Sequence, residues 1–346
     1  MSPQFNTTTN KKYFPILFSK SGELAALKYL AFDAREGISP ILIVLEGDLI
    51  NVEAVLKVEW NFNNNQILLD FYHFKDIRIS KLRIFFERLF DAGVKAVPVV
   101  HFNSPEVYIE FVKQLMLDFK CKVCIRSSNR SGGFLNYNQK LIEYLIRLNT
   151  DRYNTILLID LGFAHQHNIN MLRAFTINTL EKITYLTNWS DIIIACGSFP
   201  EDLSNLPGNR IYQLDRLERN VWFTFHEIDE FKTVKYGDFG IKNPHATEIN
   251  YPGNFSVKYT TINAFVIYTG DKTINNGNKN DQYINFANKL IQSADYYGNC
   301  FSWGDAEIIR IAKEVLSNSK RKPGNAATWK EISLNHHLTL IYHLLS

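Results

Sequence analysis

Several apolar runs in this chain end on a side chain that can carry charge or move a proton. Lys20 and Glu23 follow Phe14–Phe18, Glu46 follows Ile41–Leu45, and Asp70 and His73 stand at the end of the run from Gln66. His101 follows Ala96–Val100, Arg126 follows Cys121–Ile125, Asp160 ends the run from Thr155, and Asp238 lies in Gly237-Asp238-Phe239-Gly240. Arg126 offers a planar fork that matches a carboxylate or phosphate, and Lys20 adds a point charge. With Glu23, His101 and Tyr236 they are the candidate ligand contacts, and the ligand they imply is anionic. Glu46, Asp70, Asp160 and Asp238 are the candidate catalytic acids, able to act as general bases or to hold a divalent ion. His73 and His101 join them as proton carriers or metal ligands. The competing reading is structural, because strand-end charges also form ion-pair networks that close a sheet. On the ligand reading Lys20 and Arg126 are exposed, and each contributes about 1 kcal/mol or less to folding.

These residues are far apart in sequence, so the fold must bring them together. The apolar runs are short enough for buried strands, and each is followed by a helix-length segment with apolar residues at helical spacing. Ser21 is an N-cap for a helix to about Glu36, Lys81–Ala92 stops at Gly93, and Ser104-Pro105-Glu106 opens a helix to about Phe119. A glycine-rich loop at Ser131-Gly132-Gly133 precedes helix 137–148, and helix 170–187 leads into strand Asp191–Cys196. Seven such pairs in about 200 residues predict one repeated parallel architecture. An eighth strand at Val234–Tyr236 would close it. The predicted fold is α/β: a single (β/α)8 TIM-barrel-like domain over 12–346, with residues 1–11 as a disordered tail. From about 240 the chain is elaborated by a β-hairpin over Phe255–Tyr268 turning near Asn263, a polar loop over 275–280, and helices over 282–294, 305–317 and 328–345. In such barrels ligands sit at the carboxyl ends of the strands, where the charged residues above converge. An open doubly wound sheet is the rival, but no Gly-x-Gly-x-x-Gly follows an early strand and no Gly-x-x-x-x-Gly-Lys-Ser/Thr occurs.

Composition limits the partners. Of 346 residues 46% are hydrophobic, ample for a core, and 38 basic against 35 acidic residues leave a net charge of +3, too small for a whole-surface field for nucleic acid or acidic membranes. Any anion binding must be local. No window approaches the ~20 consecutive apolar residues of a membrane span, and Met1–Asn10 lacks a signal-peptide core, so the chain reads as cytoplasmic.

Other chemistry is weaker. Cys121-Lys122-Val123-Cys124 matches half a zinc site without the other half, and on a strand the two sulfurs would point to opposite faces, so unbridged, metal-free thiols are expected here; no cofactor is expected elsewhere, with a divalent ion on the acids left open. Gly197-Ser198-Phe199-Pro200 lacks the second glycine of a nucleophile elbow. His336 and His337 diverge by about 100° on the final helix and cannot share a metal; they read as packing residues in a stripe with Leu334, Leu338, Ile341 and Leu345. Tyr236, Phe239, Tyr251, Phe255, Tyr259 and Tyr268 interleave with Lys235, Lys242 and Lys258. Such a pattern stacks bases and tracks phosphates if exposed, or packs a hairpin over the barrel if buried.

The order of several motifs resembles the prokaryotic beta-protein family, named after a bacteriophage protein. They are Tyr13-Phe14-Pro15-Ile16-Leu17 leading into Lys20-Ser21-Gly22-Glu23, then Gly237-Asp238-Phe239, Ser302-Trp303-Gly304-Asp305, Gly324-Asn325, Trp329 and Asn335-His336-His337. The resemblance runs over nearly the whole chain and implies a barrel-like α/β fold, a bacterial or phage source, and occurrence beside mobile elements and antiphage genes. It adds weight to Lys20, Glu23, Asp238 and His337 as functional positions. The expected function is binding of an anionic ligand, such as a nucleotide, nucleic-acid end or phosphorylated metabolite, at the strand-end mouth, in an antiphage or mobile-element system. The alternatives are a metal-assisted phosphoester hydrolase on the four acids, and a non-catalytic partner protein docking through its aromatic C-terminal region.

Overall fold

A computed structural model of the chain describes residues 13–61, 66–74, 78–128, 136–203, 205–245, 254–272, 281–314 and 322–346. The expected tail, the glycine-rich loop at 131–133, the polar loop at 275–280 and Tyr251 lie outside the described residues. Eight strands close into a parallel barrel: β1 (Tyr13–Phe18), β2 (Ile41–Ile43), β3 (Gln66–Asp70), β4 (Lys95–His101), β5 (Val123–Ser128), β6 (Thr155–Phe163), β7 (Asp191–Gly197) and β9 (Lys235–Asp238). Neighbours follow sequence order, with Ile16 beside Ile41 and Tyr13 beside Tyr236 closing the ring. The barrel is therefore of the (β/α)8 type. Its crossovers carry α1 (Ser21–Lys28), α2 (Phe32–Gly37), α3 (Leu49–Glu59), α4 (Ile79–Asp91), α5 (Glu106–Phe119), α6 (Tyr137–Arg147) and α7 (Ile169–Lys182). The helix expected from Ser21 to Glu36 is two helices, broken after Tyr29 where Leu30 turns into the core.

Alternation along the strands decides what faces the barrel axis. Phe14, Ile16, Ile41, Ile43, Leu68, Val97, Val99, Cys124, Ile156, Leu158, Ile193 and Ala195 fill the interior, whereas Tyr13, Leu17, Leu42 and Tyr236 pack outward against helices. Gly237 faces inward between Ala195 and Phe14, where a Cβ would stand 3.0 Å from each. Asp238 is consequently on the outward face with Tyr236.

The connection between β7 and β9 holds β8 (Ile211–Asp215) and α8 (Leu217–His226). β8 joins the hairpin β10 (Asn254–Thr260) and β11 (Ala264–Lys272) in a second sheet of order β10-β11-β8, so the elaboration begins before residue 240. The hairpin turn falls at Asn263 as expected. α9 (Asp281–Ile291), α10 (Trp303–Glu314) and α11 (Ala326–Leu345) complete this layer. α11 is not a one-sided amphipathic helix: it is enclosed between α1 and β1 on one side and β10 and α10 on the other, so Asn335, His336 and His337 are as buried as its leucines.

Cys121 lies before β5 rather than on it; Cys124 is inside the barrel, and all four cysteines are unbridged. Burial pushes the Cys121 thiol up to about 11 and raises the Cys124 and Cys196 thiols further, while Cys300 is exposed. Thiolate is the reacting species. Timed titration of the native protein with a disulfide reagent should therefore modify Cys300 first, with Cys124 and Cys196 reacting only after denaturant; fast labelling of Cys124 would contradict the interior placement.

Candidate functional site at the barrel mouth

The inward parity that fills the barrel with aliphatic side chains brings charged ones to its carboxyl end. Asp70 follows Leu68, His101 follows Val97 and Val99, Arg126 follows Cys124, and Asp160 follows Ile156 and Leu158, each one step further along its strand. The register seats His101 beside Arg126. These four form one connected floor. Arg126 donates from Nη1 to Asp70 Oδ2 at 2.8 Å, and from Nη2 and Nε to Asp160 Oδ2 at 2.6 and 3.2 Å. His101 Nε2 lies 3.0 Å from Asp70 Oδ2, and its Nδ1 is buried without a partner among the described residues. The Tyr72 N–H donates to Asp70 Oδ1, and the Gly162 N–H donates to Asp160 Oδ1, both at 2.9 Å. Gly162 sits at φ +73 in a bulge of β6, a backbone state that suits glycine and turns its amide onto the acid.

Burial alone would raise the Asp70 carboxyl, but its electrostatic interaction and hydrogen bond with His101, then Arg126 and the Tyr72 amide, outweigh burial and hold it well below the usual carboxylate range. Burial likewise opposes the charge on Arg126, and Asp160 with Asp70 overcomes it, raising the guanidinium above its ordinary value. Arg126 is thus an internal counterion, 7% exposed, with both acids already on its fork. The expectation of an exposed Arg126 open to a ligand is corrected by this pairing. Above the floor is a pocket of about 230 Å³ walled by Phe18, Tyr72, His73, Phe163, Pro244 and His245. Tyr72 covers His101 with ring centroids 4.4 Å apart. A larger groove of about 480 Å³ lies at the opposite end, where α5 and α6 lead into β5 and β6, and it has no comparable buried charge network.

Other residues singled out from sequence lie elsewhere. Glu46 is exposed beyond the end of β2 and does not line the pocket. Tyr236 packs outward against Tyr13 and Trp222. Asp238, 1% exposed, accepts from Tyr13 Oη at 2.5 Å and lies 3.1 Å from His337 Nε2, whose Nδ1 is 3.0 Å from Thr260 Oγ1. Burial would raise the Asp238 carboxyl; His337, Tyr13 and the Gly240 amide lower it below its ordinary value instead. Four acids therefore do not converge: Asp70 and Asp160 share the floor, whereas Asp238 ties the barrel to α11 and the second sheet. His336 turns to a different acid, Asp305, at 2.8 Å, as the divergence of adjacent helical residues requires. Of the interleaved aromatics, Tyr236, Phe239, Phe255, Tyr259 and Tyr268 are buried, so they pack layers and offer no stacking surface.

Lys20 and Glu23 belong to a second group at the rim, which also takes in lysines from the C-terminal part. Lys330 Nζ pairs with Glu23 Oε1 at 2.6 Å, while Glu23 Oε2 is buried without a partner among the described residues. Lys242 Nζ stands 3.6 Å from the ring centroid of Phe18, a pocket wall, and Lys258 Nζ 4.6 Å from that of Phe199. Burial, then Lys330, Lys20 and Lys258, bring the Lys242 amine down to about 8 against the pull of Glu23; burial and Lys330 do the same for Lys258, to about 8. The attraction of a lysine for an aromatic face, ~0.5–2 kcal/mol, is outweighed. Four amines thus surround a single carboxylate. Interleaving with aromatics was the sequence signal for Lys242 and Lys258, but the pairing of β9 with β1 brings Lys242 to Lys20, and the return of β10 and α11 over the barrel brings Lys258 and Lys330.

A closed parallel barrel with a charged floor at its carboxyl end defines a (β/α)8-type barrel protein. Residues 13–343 match the family described as Beta protein, and the chain belongs to that family. It is similar to "Protein beta" of Enterobacteria phage P4, with 22% identity over 358 residues covering 95% of this chain and 92% of that protein. Among solved structures it overlaps the apo form of the homocysteine methyltransferase MmuM from Escherichia coli at a TM-score of 0.37 and 12% identity, covering 68% of this chain and 93% of that one, too loosely to carry chemistry across. The motifs that marked the resemblance have structural partners. Gly304 lets α10 meet α11, where a Cβ would fall 2.3 Å from the Ile332 carbonyl oxygen, and its amide donates to Asn335 Oδ1. Asn335 in turn donates to the Ala26 carbonyl of α1, and Asn325 caps α11.

Proposed function

We propose that the barrel mouth binds a small anionic ligand, its anionic group on the rim lysines Lys20, Lys242, Lys258 and Lys330 and its body in the pocket over Asp70, His101, Arg126 and Asp160. The single observation that carries this reading is the rim charge: four amines face one carboxylate, and the side-chain amines of Lys20, Lys242 and Lys258 have no hydrogen bond or ion pair among the described residues. Like charges held close and half-buried are unfavourable by themselves, and an anion relieves them. A nucleotide, a nucleic-acid end or a phosphorylated metabolite fits this chemistry. The phage relative supports a setting in a mobile element, and an antiphage role rests on the family resemblance alone. The hydrolase reading is weaker, since a divalent ion at Asp70 and Asp160 must first displace the Arg126 guanidinium. No helix among the described residues is long and apolar enough to cross a membrane.

Calorimetric titration with pyrophosphate at low ionic strength tests the reading. Saturable binding is expected, weakened about tenfold or more by each of Lys20→Ala and Lys242→Ala, because a charged hydrogen bond contributes ~1.5–3 kcal/mol. Affinity should fall as pH rises through about 8, where Lys242 and Lys258 lose their protons. Without ligand the sign reverses: between about 8 and the ordinary lysine value the unfolded chain binds more protons, so stability rises with pH. Binding that is absent, or indifferent to both substitutions, would sink the proposal.

A further inference from the structure

We propose that the Lys242 side chain is a carbonyl-reactive amine, forming an imine with an aldehyde or ketone whose anionic group lies on the neighbouring lysines. The inference rests on the anion-binding reading and narrows its ligand to anionic carbonyl compounds. An amine attacks a carbonyl only when it is unprotonated and not held in an ion pair. Lys330 is held by Glu23, whereas the Lys242 side-chain amine has neither a hydrogen bond nor an ion pair among the described residues. Its Nζ is 3.6 Å from the centroid of Phe18, and Phe18 walls the pocket, so the amine stands at the edge of the space a ligand body would occupy. Lys258 instead lies over Phe199, which is not part of that wall. The lowered affinity of Lys242 for its proton, from burial and three amines nearby, agrees with this assignment.

The reaction needs no oxidant or metal. The Nζ lone pair forms a bond to the carbonyl carbon, the C=O π pair moves to oxygen, and that oxygen takes a proton from a neighbouring ammonium. Nitrogen then passes a proton to a nearby carboxylate, which returns it to the new hydroxyl; that oxygen leaves as water with the C–O bonding pair, and the nitrogen lone pair closes the C=N bond, leaving a protonated imine. Glu23 Oε2, buried and unpartnered among the described residues and electrostatically coupled to Lys242, is the acceptor at hand for the departing proton.

Pyridoxal 5′-phosphate is the probe, because it joins an aldehyde to a phosphate, and pyridoxal and pyrophosphate separate the two parts. The full chain is treated near pH 8, reduced with borohydride, and mapped by peptide mass spectrometry. Lys242 should be labelled about tenfold or more faster than any other lysine: a half-deprotonated amine is favoured over an ordinary one, and Lys258, which shares that property, lies over Phe199 and not at the pocket wall. Pyridoxal should label it more slowly, pyrophosphate should protect it, and Lys242→Arg should lose the label. Labelling spread evenly over the lysines, with pyrophosphate binding intact, overturns the amine assignment and leaves the anion reading standing. Labelling of Lys242 equally fast by pyridoxal and unprotected by pyrophosphate overturns the anionic class of carbonyl and the anion reading together. A melting curve of Lys242→Arg that overlays that of wild type excludes misfolding as the cause of the lost label.

Discussion

Replacing Arg126 with methionine lowers stability by about 3–5 kcal/mol, the range expected when one member of a buried ion cluster is removed and its partners remain. Asp70 and Asp160 both place Oδ2 on the guanidinium, so the variant leaves two buried carboxylates facing each other with only the His101 imidazole, on Asp70, beside them. Two carboxylates sharing a site do not both ionise readily, and protonation of one relieves the strain. The variant should recover relative to wild type as pH falls. Wild type behaves in the opposite sense. Its Asp70 carboxyl is held below the usual range, so that contribution is fully present above the ordinary carboxylate value and is lost as pH falls through the folded one. Urea unfolding of both proteins across acidic and neutral pH should show the gap narrowing towards low pH. Adding Asp70→Asn and Asp160→Asn to the variant should restore part of the loss at neutral pH. An Arg126→Met protein as stable as wild type at neutral pH would mean that the guanidinium does not hold the floor.

The expectation of about 1 kcal/mol for this arginine failed because it treated a strand-end charge as exposed. The position was legible and the burial was not. Parity decides the difference: Cys124 and Arg126 are two apart and both face inward, so the strand that buries one carries the other to the top of the barrel interior. The same rule, applied to β9, removes Asp238 from the mouth. Phe239 faces inward and Asp238 precedes it by one residue, but Lys235-Tyr236-Gly237-Asp238 has no apolar alternation from which to read that phase. The barrel strands were legible because they are buried apolar runs separated by helical periods. β8 was not, because Ile211–Asp215 is short, nowhere fully buried, and fixed by pairing with β11 and by packing of Tyr212 and Leu214 on the core, contacts between distant segments. The rim lysines show the same limit. Lys20 is set by a local strand-to-helix turn, whereas Lys242, Lys258 and Lys330 reach it only through tertiary packing.

Asp305→Ala should loosen the C-terminal layer more than any other single change in it, with a loss of about 3–5 kcal/mol. Asp305 is fully buried, and its carboxylate accepts from Tyr259 Oη at 2.7 Å and Ser302 Oγ at 2.5 Å, and lies 2.8 Å from His336 Nδ1. Alanine removes the acceptor shared by three groups. The Tyr259 hydroxyl proton and His336 Nδ1 stay buried without their acceptor, while Tyr259 Oη keeps the Tyr297 N–H and His336 Nε2 keeps the Thr260 carbonyl oxygen; each orphaned polar atom costs ~1–3 kcal/mol. The ring stack of Tyr259 on His336, with centroids 3.9 Å apart, depends on the same anchor. Asp238 and His337 lie one helix residue away, joining α11 to β9, so the loss need not spread through the barrel. Hydrogen exchange should rise first in α10, α11 and β10, with β3 to β6 protected as in wild type. Uniform acceleration across both layers would instead mean that barrel and elaboration unfold as one cooperative unit. Because Lys258 and Lys330 are carried by this layer, loosening it should also weaken pyrophosphate binding, whereas Arg126→Met should act first on the floor.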